Sequence, residues 1–234
     1  MAIQVPTPIP IINQRVLVML QYLKCLSAVL LTAFLLAGCA TVGDQIVPTT
    51  MAKNINLKPG DLAKYRLAFL TPSTVTGQEQ DRQSLALIFS ETMQSSLPNV
   101  SIIPLSDTLG LINRAGLAET YRKMVDDYRE TGIFARDSLQ KVGQAVGARY
   151  FAQLKLAGFS QDTFERFSLF GFRLFQTLHA NIRLYLQIWD SDAGVIAWEG
   201  NEELNYAYDS SAERPVTFEV VVQEAARHLI AQLP

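Results

Sequence analysis

Residues 178–189 alternate between apolar and polar side chains, and this pattern restricts the possible fold more than any other stretch of the chain. One set comprises Leu178, Ala180, Ile182, Leu184, Leu186 and Ile188. The other set comprises His179, Asn181, Arg183, Tyr185, Gln187 and Trp189. Because successive side chains of a strand point to opposite faces, the pattern predicts a long strand with one buried face and one polar face.

The residues that follow this strand predict a hairpin. Residues 190–194 indicate a turn in which Asp190 accepts bonds from the turn backbone and Gly194 adopts a positive φ. Residues 195–204 then return as the partner strand. The residues of this turn therefore have a predicted role in folding rather than in chemistry.

Shorter elements precede and follow this hairpin. Apolar, β-branched runs predict strands at residues 65–70, 100–104 and 149–156, and an irregular segment is expected from Gly158 onward. Apolar residues spaced by three and four predict helices at residues 85–97, 108–114, 117–130, 135–146 and 213–233. This order predicts one α/β domain with a mixed, largely antiparallel sheet flanked by helices.

The amino-terminal part carries a targeting pattern. An uncharged apolar run over residues 26–36 follows Arg15 and Lys24 and leads into Leu-Ala-Gly before Cys39. It resembles a bacterial lipoprotein signal with its lipobox, since it is too short for a spanning helix. The resemblance implies that Cys39 is the first mature residue and carries the lipid, with palmitate as an acyl group.

The same pattern divides the chain and gives its location. We expect a signal peptide at residues 1–38, a tether with little order at 39–60 and the α/β domain at 61–234. Met19 is an alternative start to Met1, and neither start changes Cys39. In lipoproteins, a residue such as Ala40 rather than aspartate after the cysteine implies sorting to the outer membrane, here at its periplasmic face.

Charge and cysteine content restrict the partners. Residues 1–38 hold two of the 20 Lys and Arg residues and none of the 22 Asp and Glu residues. The remaining 196 residues therefore have 18 basic and 22 acidic side chains and a net charge of −4. Nucleic acid is excluded as a partner, because phosphate binding needs clustered Lys and Arg. Cys25 lies in the predicted signal, so no disulfide is expected.

The sequence offers no pattern that predicts catalysis. His179 and His228 are the only histidines, and their separation does not match a zinc site. Glu202 and Glu203 are neighbours that point to different faces of a strand, so they make a poor acid/base dyad. We therefore predict no catalytic residue, no metal and no cofactor, although distant residues that converge in the fold leave a hydrolase of envelope polymers as an alternative.

Residues 164–175 hold five of the 12 phenylalanines. One interpretation is that they belong to the first arm of a hairpin and lie in the core. The other is that they form an exposed apolar surface for a partner or for the lipid headgroup region. We predict exposure for at least one of the two residues beside Gly171. The candidate partner-binding residues are Phe167, Phe170, Phe172 and Phe175.

Three stretches of the domain resemble a known group of proteins, and one of them is the terminal helix predicted at residues 213–233. Residues 142–156 (VGQAVGARYFAQLKL) and 186–198 (LQIWDSDAGVIAW) are similar to segments of periplasmic lipoprotein domains related to the curli secretion lipoprotein CsgG. The same α/β domain occurs in the amino-terminal part of TolB-like proteins and in lipoprotein activators of cell-wall synthases. The resemblance implies an accessory or assembly role without catalytic residues.

These patterns together lead to one main hypothesis. It is an outer-membrane lipoprotein that faces the periplasm and acts as a binding or assembly module in a cell-envelope complex. Its expected partners are the membrane, through the lipid, and an envelope protein, with a homo-oligomer left open. A subunit of an oligomeric export channel is a further alternative, although only one region of the sequence suits a membrane-crossing hairpin.

Overall fold

The structure is a computed structural model, and it describes residues 45–74, 79–169, 172–210 and 217–234. These residues form a mixed seven-stranded sheet flanked by helices, as the sequence predicts. The strands are β1 (Gln45–Asn54), β2 (Leu67–Phe69), β3 (Ser73–Thr74), β4 (Ile102–Ile103), β5 (Tyr150–Leu169), β6 (Phe172–Asp190) and β7 (Val195–Ser210). The helices are α1 (Asp61–Lys64), α2 (Glu79–Ser96), α3 (Leu105–Arg114), α4 (Ala118–Thr131), α5 (Arg136–Val146) and α6 (Phe218–Ile230).

The sheet has a parallel part and an antiparallel part. Its strand order is β1-β7-β6-β5-β2-β4, and the short β3 pairs with β5 outside this path. β2 pairs in parallel with both β4 and β5, whereas β5, β6, β7 and β1 pair antiparallel in turn. The prediction that antiparallel pairing dominates the second half of the chain is therefore confirmed.

Two expectations about element bounds are wrong. The predicted tether was expected to have little order, but β1 pairs with β7 along its whole length. The backbone groups of β1 form hydrogen bonds with β7, so this strand is stable although its sequence has no clear apolar alternation. The third strand was expected to end near Leu156 in an irregular segment, but β5 continues to Leu169 because β6 pairs with it beyond a bulge at Ala157.

The main core lies between the inner face of the sheet and the helices α2 and α6. The predicted apolar face of β6 is buried there, which confirms the alternation found in the sequence. Helix α2 adds Leu85, Phe89 and Met93, which are four residues apart and therefore lie on one side of the helix. Thr217 caps α6 by accepting a bond from the backbone N–H of Val220 at 3.4 Å.

A second core covers part of the outer face. Helices α3, α4 and α5 pack there over β2, β5 and the end of β6. Trp189, predicted on a polar face, is buried among them, with its ring 5.1 Å from the ring of Phe134 in an edge-on contact. A side chain on the outer face of a strand is buried when helices pack over it, and the alternation along the strand does not show where helices pack.

None of the helices in the described part of the chain is long and apolar enough to cross a bilayer.

Candidate functional site

The outer face of β1, β7 and β6 extends beyond the second core as a surface that the helices leave exposed. We call this surface the open face. Four rows of cross-strand neighbours form it, and each row has one residue from each strand. From the Gln45 end they are Val47, Asn205 and Asn181; Thr49, Glu203 and Arg183; Met51, Asn201 and Tyr185; and Lys53, Glu199 and Gln187.

The central part of the open face holds two large, exposed side chains, Met51 and Tyr185, on either side of Asn201. Met51 is 62% exposed and Tyr185, in the same row, is 38% exposed. These two residues border a shallow depression of about 340 Å³, and a second depression of about 270 Å³ lies beside Val47 toward the Gln45 end. Methionine and tyrosine are enriched where proteins bind one another, because both offer a large contact area.

Polar side chains around this centre are already paired within the sheet. Nη2 of Arg183 lies 3.3 Å from Oε1 of Glu203, and both side chains are partly exposed. The amide of Asn181 donates to Oδ1 of Asn205 at 2.6 Å. With Lys53 and Glu199 added, the face carries two basic and two acidic side chains, so it has no strong net field.

The edges of the sheet are poorly suited to strand addition. The edge strand β1 contains Pro48, which has no backbone N–H to donate to an added strand. The opposite edge strand, β4, is only two residues long. A partner of the described sheet therefore has better access to the open face than to either edge.

A buried carboxylate lies directly behind the open face. Glu202 is fully buried on the inner side of β7, in line with the apolar Trp198 and Leu204. Nδ1 of His228, on α6, lies 2.9 Å from Oε1 of Glu202, and the hydroxyl of Thr50 donates to Oε2. Through these two contacts the group links β1, β7 and α6.

This group has the wrong order for nucleophilic catalysis. In a hydroxyl–imidazole–carboxylate relay the hydroxyl bonds to the imidazole, which then takes its proton. Here Thr50 and His228 both bond to Glu202, so the imidazole is not placed to take the proton of the hydroxyl. Within the residues that the structure describes, no three His, Cys, Asp or Glu side chains converge as metal ligands would.

Sequence reasoning did not find this group, although a signal for it exists. The prediction that Glu202 and Glu203 point to different faces is correct, since Glu203 pairs with Arg183 on the open face. The missed signal is the phase of Glu202, which occupies an apolar position of the alternation along β7. His228 is 26 residues later in the chain, so only the tertiary structure brings it to Glu202.

A second polar group lies at the opposite end of the sheet from Gln45. Nη2 of Arg149 donates to Oδ2 of Asp190 at 2.8 Å, and this bond raises the pKa of Arg149. Oδ1 of Asp190 accepts from the backbone N–H of Asp192 at 3.0 Å. The predicted bonding of Asp190 to the turn backbone is thus confirmed, and the group holds the hairpin turn.

The hydroxyl of Tyr150, which lies beside this group, changes the pKa of the Asp61 carboxyl group. Tyr150 donates to Oδ2 of Asp61 at 2.9 Å, and the backbone N–H of Lys58 donates to the same atom at 3.2 Å. The bond from Tyr150 lowers the pKa of Asp61, while burial and this bond raise the pKa of Tyr150. These groups connect α1 to β5 and have a structural role.

The structure leaves the predicted site residues untested. Cys39 and Phe170 lie outside the described residues. Phe167 belongs to β5, and Phe172 and Phe175 belong to β6, but their side chains also lie outside the described part. β5 and β6 pair here as an antiparallel hairpin, with residues 164–169 on its first arm and residues 172–175 on its second. The interpretation that placed the whole stretch on the first arm is therefore wrong in this respect.

Several solved structures are similar to this chain in fold. The PelC dodecamer from Paraburkholderia phytofirmans matches 80% of this chain and 97% of its own, with 11% identity and a TM-score of 0.44. The lipoprotein GNA1162 from Neisseria meningitidis matches 71% of this chain and 97% of its own, with 13% identity and a TM-score of 0.35. The LpoB C-terminal domain from Salmonella enterica matches 62% and 85%, with 14% identity and a TM-score of 0.32.

Neither a protein-family model nor a curated protein matches the chain. Because these sequence identities are low and the TM-scores are below 0.5, the similar structures do not assign a function to this chain.

Proposed function

We propose that this chain is an outer-membrane lipoprotein, anchored through Cys39 at the periplasmic face, that binds a partner protein of the cell envelope on its open face. The observation that carries the proposal is the exposed row of Met51 and Tyr185 in the middle of a sheet face whose other part is covered by helices. The apolar run before Cys39 supports the anchor.

The chemistry of the open face favours a folded protein as its occupant. Its balanced charges offer no binding energy to a polyanion such as nucleic acid. Exposed methionine and tyrosine side chains with polar neighbours are a usual composition of a protein interface. Its hydrogen-bonded pairs, such as Arg183 with Glu203, stay paired when a partner covers them, so their burial leaves no charge without a partner.

The same residues support a binding role over catalysis. The hydrolase alternative needs a nucleophile or a general base in an accessible cleft. Glu202 is buried behind the sheet, and the hydroxyl and imidazole beside it both bond to that carboxylate. We infer that this group stabilises the fold that carries the open face.

Photocrosslinking in intact envelopes tests the partner. A photoreactive phenylalanine at Met51 or Tyr185 should give an adduct with one protein species of the envelope. Ile133 is the matched control, because it is also 62% exposed but lies between α4 and α5, outside the four rows of the open face. Adducts of the same pattern and yield from position 133, or none from positions 51 and 185, would contradict the proposal. An adduct between two copies of this chain would assign the face to self-association instead.

Substitution of the predicted lipidated cysteine tests the anchor. Cys39→Ser should leave a longer precursor that contains residues 1–38 and takes up no labelled fatty acid, because the thiol is the acceptor. Cys25→Ser is the control and should be processed normally, since that cysteine lies in the removed segment. Fatty-acid label that persists in the Cys39→Ser protein would rule out this anchor.

A further inference from the structure

We propose that the hairpin formed by residues 163–169 and 172–178 rests on the bilayer surface, beside the lipid of Cys39, as a second membrane contact. This inference rests on the proposed lipid anchor and adds a binding surface to it. We call these two segments the hairpin arms. Their occupant is the headgroup region of the membrane.

The register of the sheet puts the start of β1 and the base of the hairpin arms at one end. Gln45, the first residue of β1, pairs with Ala207 of β7. Ala207 pairs with His179 of β6, and His179 pairs with Asp162 of β5. The hairpin arms begin at the next residue of β5 and end at the residue before His179. The hairpin arms therefore extend beyond Gln45, the first described residue of the chain, at this end of the sheet.

Two lengths agree with a common contact plane. Cys39 precedes Gln45 by six residues, which span at most about 20 Å when extended. Each hairpin arm has seven residues, which span about 23 Å at the usual rise of a strand. A lipid on Cys39 therefore holds Gln45 no farther from the bilayer than the arms can reach.

The same length argues against crossing. A strand that crosses a bilayer needs about 9–11 residues, and each arm has fewer beyond the level of Gln45. Contact with the surface fits the arms, whereas a complete crossing does not. The hairpin arms are therefore too short to supply the membrane-crossing hairpin that the export-channel alternative needs.

Exposure at the base of the arms shows where the hairpin leaves the domain. Ser160, Gln161 and Asp162 are consecutive residues of β5, and all three are exposed. Because neighbouring residues of a strand point to opposite faces, both faces of β5 are open to solvent there. Just before them, Phe159 contacts Phe218 at the start of α6, with ring centroids 5.1 Å apart. Along β5, the described apolar packing thus ends at Phe159.

The composition of the chain changes directly after these three exposed polar residues. Residues 163–178 contain five phenylalanines and three leucines, and their only charged residues are Glu165, Arg166 and Arg173. This segment has a net charge of +1, in a mature chain with a net charge of −4. Aromatic residues with nearby cations are typical of segments that lie in the interface of anionic membranes. The lipid surface is favoured over a protein partner because the lipid anchor brings this end of the sheet to the membrane.

Tryptophan fluorescence in vesicles tests the contact. The lipidated full chain is reconstituted into vesicles of phosphatidylethanolamine and phosphatidylglycerol with brominated acyl chains, which quench tryptophans that reach them. Phe172→Trp should lose most of its added emission and shift to shorter wavelength. The native Trp189 and Trp198 are 3% and 1% exposed and lie at the other end of the sheet, so they should not respond.

Val195→Trp is the matched control, since this residue is exposed but lies at the hairpin turn opposite the Gln45 end. Phe167→Trp gives an independent reporter on the facing arm, and an unchanged melting temperature shows that either variant folds. Quenching at positions 167 and 172 that is no greater than at position 195 would overturn the inference. A crosslink from Phe172 to an envelope protein without such quenching would do the same and assign the arms to that protein.

Flotation of the same vesicles separates the two proposals. If the unaltered chain does not float with the vesicles, the lipid anchor itself fails. If it floats but the added tryptophans are not quenched, only the contact of the hairpin arms fails.

Discussion

At the scale of single residues, Glu202 and Glu203 show how one backbone step separates two roles. Glu203 pairs with Arg183 in contact with water, where an ion pair adds little stability. Glu202 is buried and depends on Thr50 and His228 for its hydrogen bonds. A buried carboxyl group that loses a hydrogen-bond partner destabilises the fold, because it was removed from water when the chain folded and one of its bonds is then missing.

We predict that His228→Ala lowers the free energy of unfolding by about 1–3 kcal/mol, because Glu202 loses one of its two partners. Arg183→Ala is the matched control, since it removes the partner of the adjacent glutamate, and it should cost less than about 1 kcal/mol. Chemical denaturation of both variants measures the difference. Equal losses would show that Glu202 does not need His228.

The bond from Tyr150 to Asp61 predicts a pH dependence. The pKa of Asp61 is lowered in the folded state, so the unfolded state binds a proton more readily as the pH falls. The stability from this bond is complete above the ordinary aspartate pKa and is lost as the pH falls through the lowered folded value. Tyr150→Phe should therefore raise the pKa of Asp61 and reduce the loss of stability in acid.

Carboxyl NMR titration of Asp61 measures this change directly. Tyr65→Phe is the control, because the ring of Tyr65 lies over Arg149, 4.7 Å from its guanidinium carbon, and its hydroxyl is not the one that bonds to Asp61. A pKa of Asp61 that stays the same in Tyr150→Phe would contradict the assigned cause.

At the scale of elements, the turn between β6 and β7 depends on helix α5. Gly194 has a φ of 72°, which side chains of L-residues rarely adopt. A Cβ atom at this position would lie 2.5 Å from Cγ of Arg136, the first residue of α5. Gln140 of the same helix donates to the carbonyl of Asp192 at 2.9 Å. The turn is thus fixed by its own backbone and by a helix far away in sequence.

We predict that Gly194→Val lowers the free energy of unfolding by about 1–3 kcal/mol, through the strained φ and the contact with Arg136. Gly158→Ala is the control, since an added Cβ there would meet no atom within 4 Å. Thermal melts of both variants provide the measurement. A melting temperature of Gly194→Val equal to that of the parent would remove the turn assignment.

At the scale of the whole molecule, β1 changes where the domain begins. The expected tether extended to residue 60, but β1 lies at the edge of the sheet and its Thr50 supports Glu202. Residues 40–44 are then the only part between Cys39 and the described domain. A lipid on Cys39 therefore keeps the domain close to the membrane.

We predict that a protease site inserted after Val42 releases a folded domain from membranes, whereas cleavage after Asn54 releases a less stable one. The second cut removes β1, which uncovers β7 and takes Thr50 from Glu202. Melting temperatures of the two released fragments measure this difference. Fragments of equal stability would show that β1 does not support the domain. A fragment cut after Val42 that still pellets with membranes would contradict this prediction, because the surface contact proposed for the hairpin arms is expected to hold the domain only together with the lipid.

Local patterns predicted much of the fold but little of the polar chemistry. The alternation along β6 and the apolar spacing of α2 repeat within a few residues, so they are visible without knowledge of the neighbours. The order of β1 depends on pairing with β7, about 150 residues later, and the burial of Trp189 depends on helices that cross the sheet. The Glu202 group joins three elements and has no local signature apart from one charged residue in an apolar position.

The sequence by itself determined the α/β class, the largely antiparallel second half, the turn at Gly194 and the prediction of a lipid at Cys39. Short-range periodicity, turn chemistry and targeting signals act over a few consecutive residues, so each can be recognised where it occurs. Only the tertiary structure decided which part of the outer face stays open, what supports Glu202, and that the start of β1 and the hairpin arms share one end of the sheet. Strand order, register and helix placement join residues that are distant in sequence, and those contacts leave no local pattern.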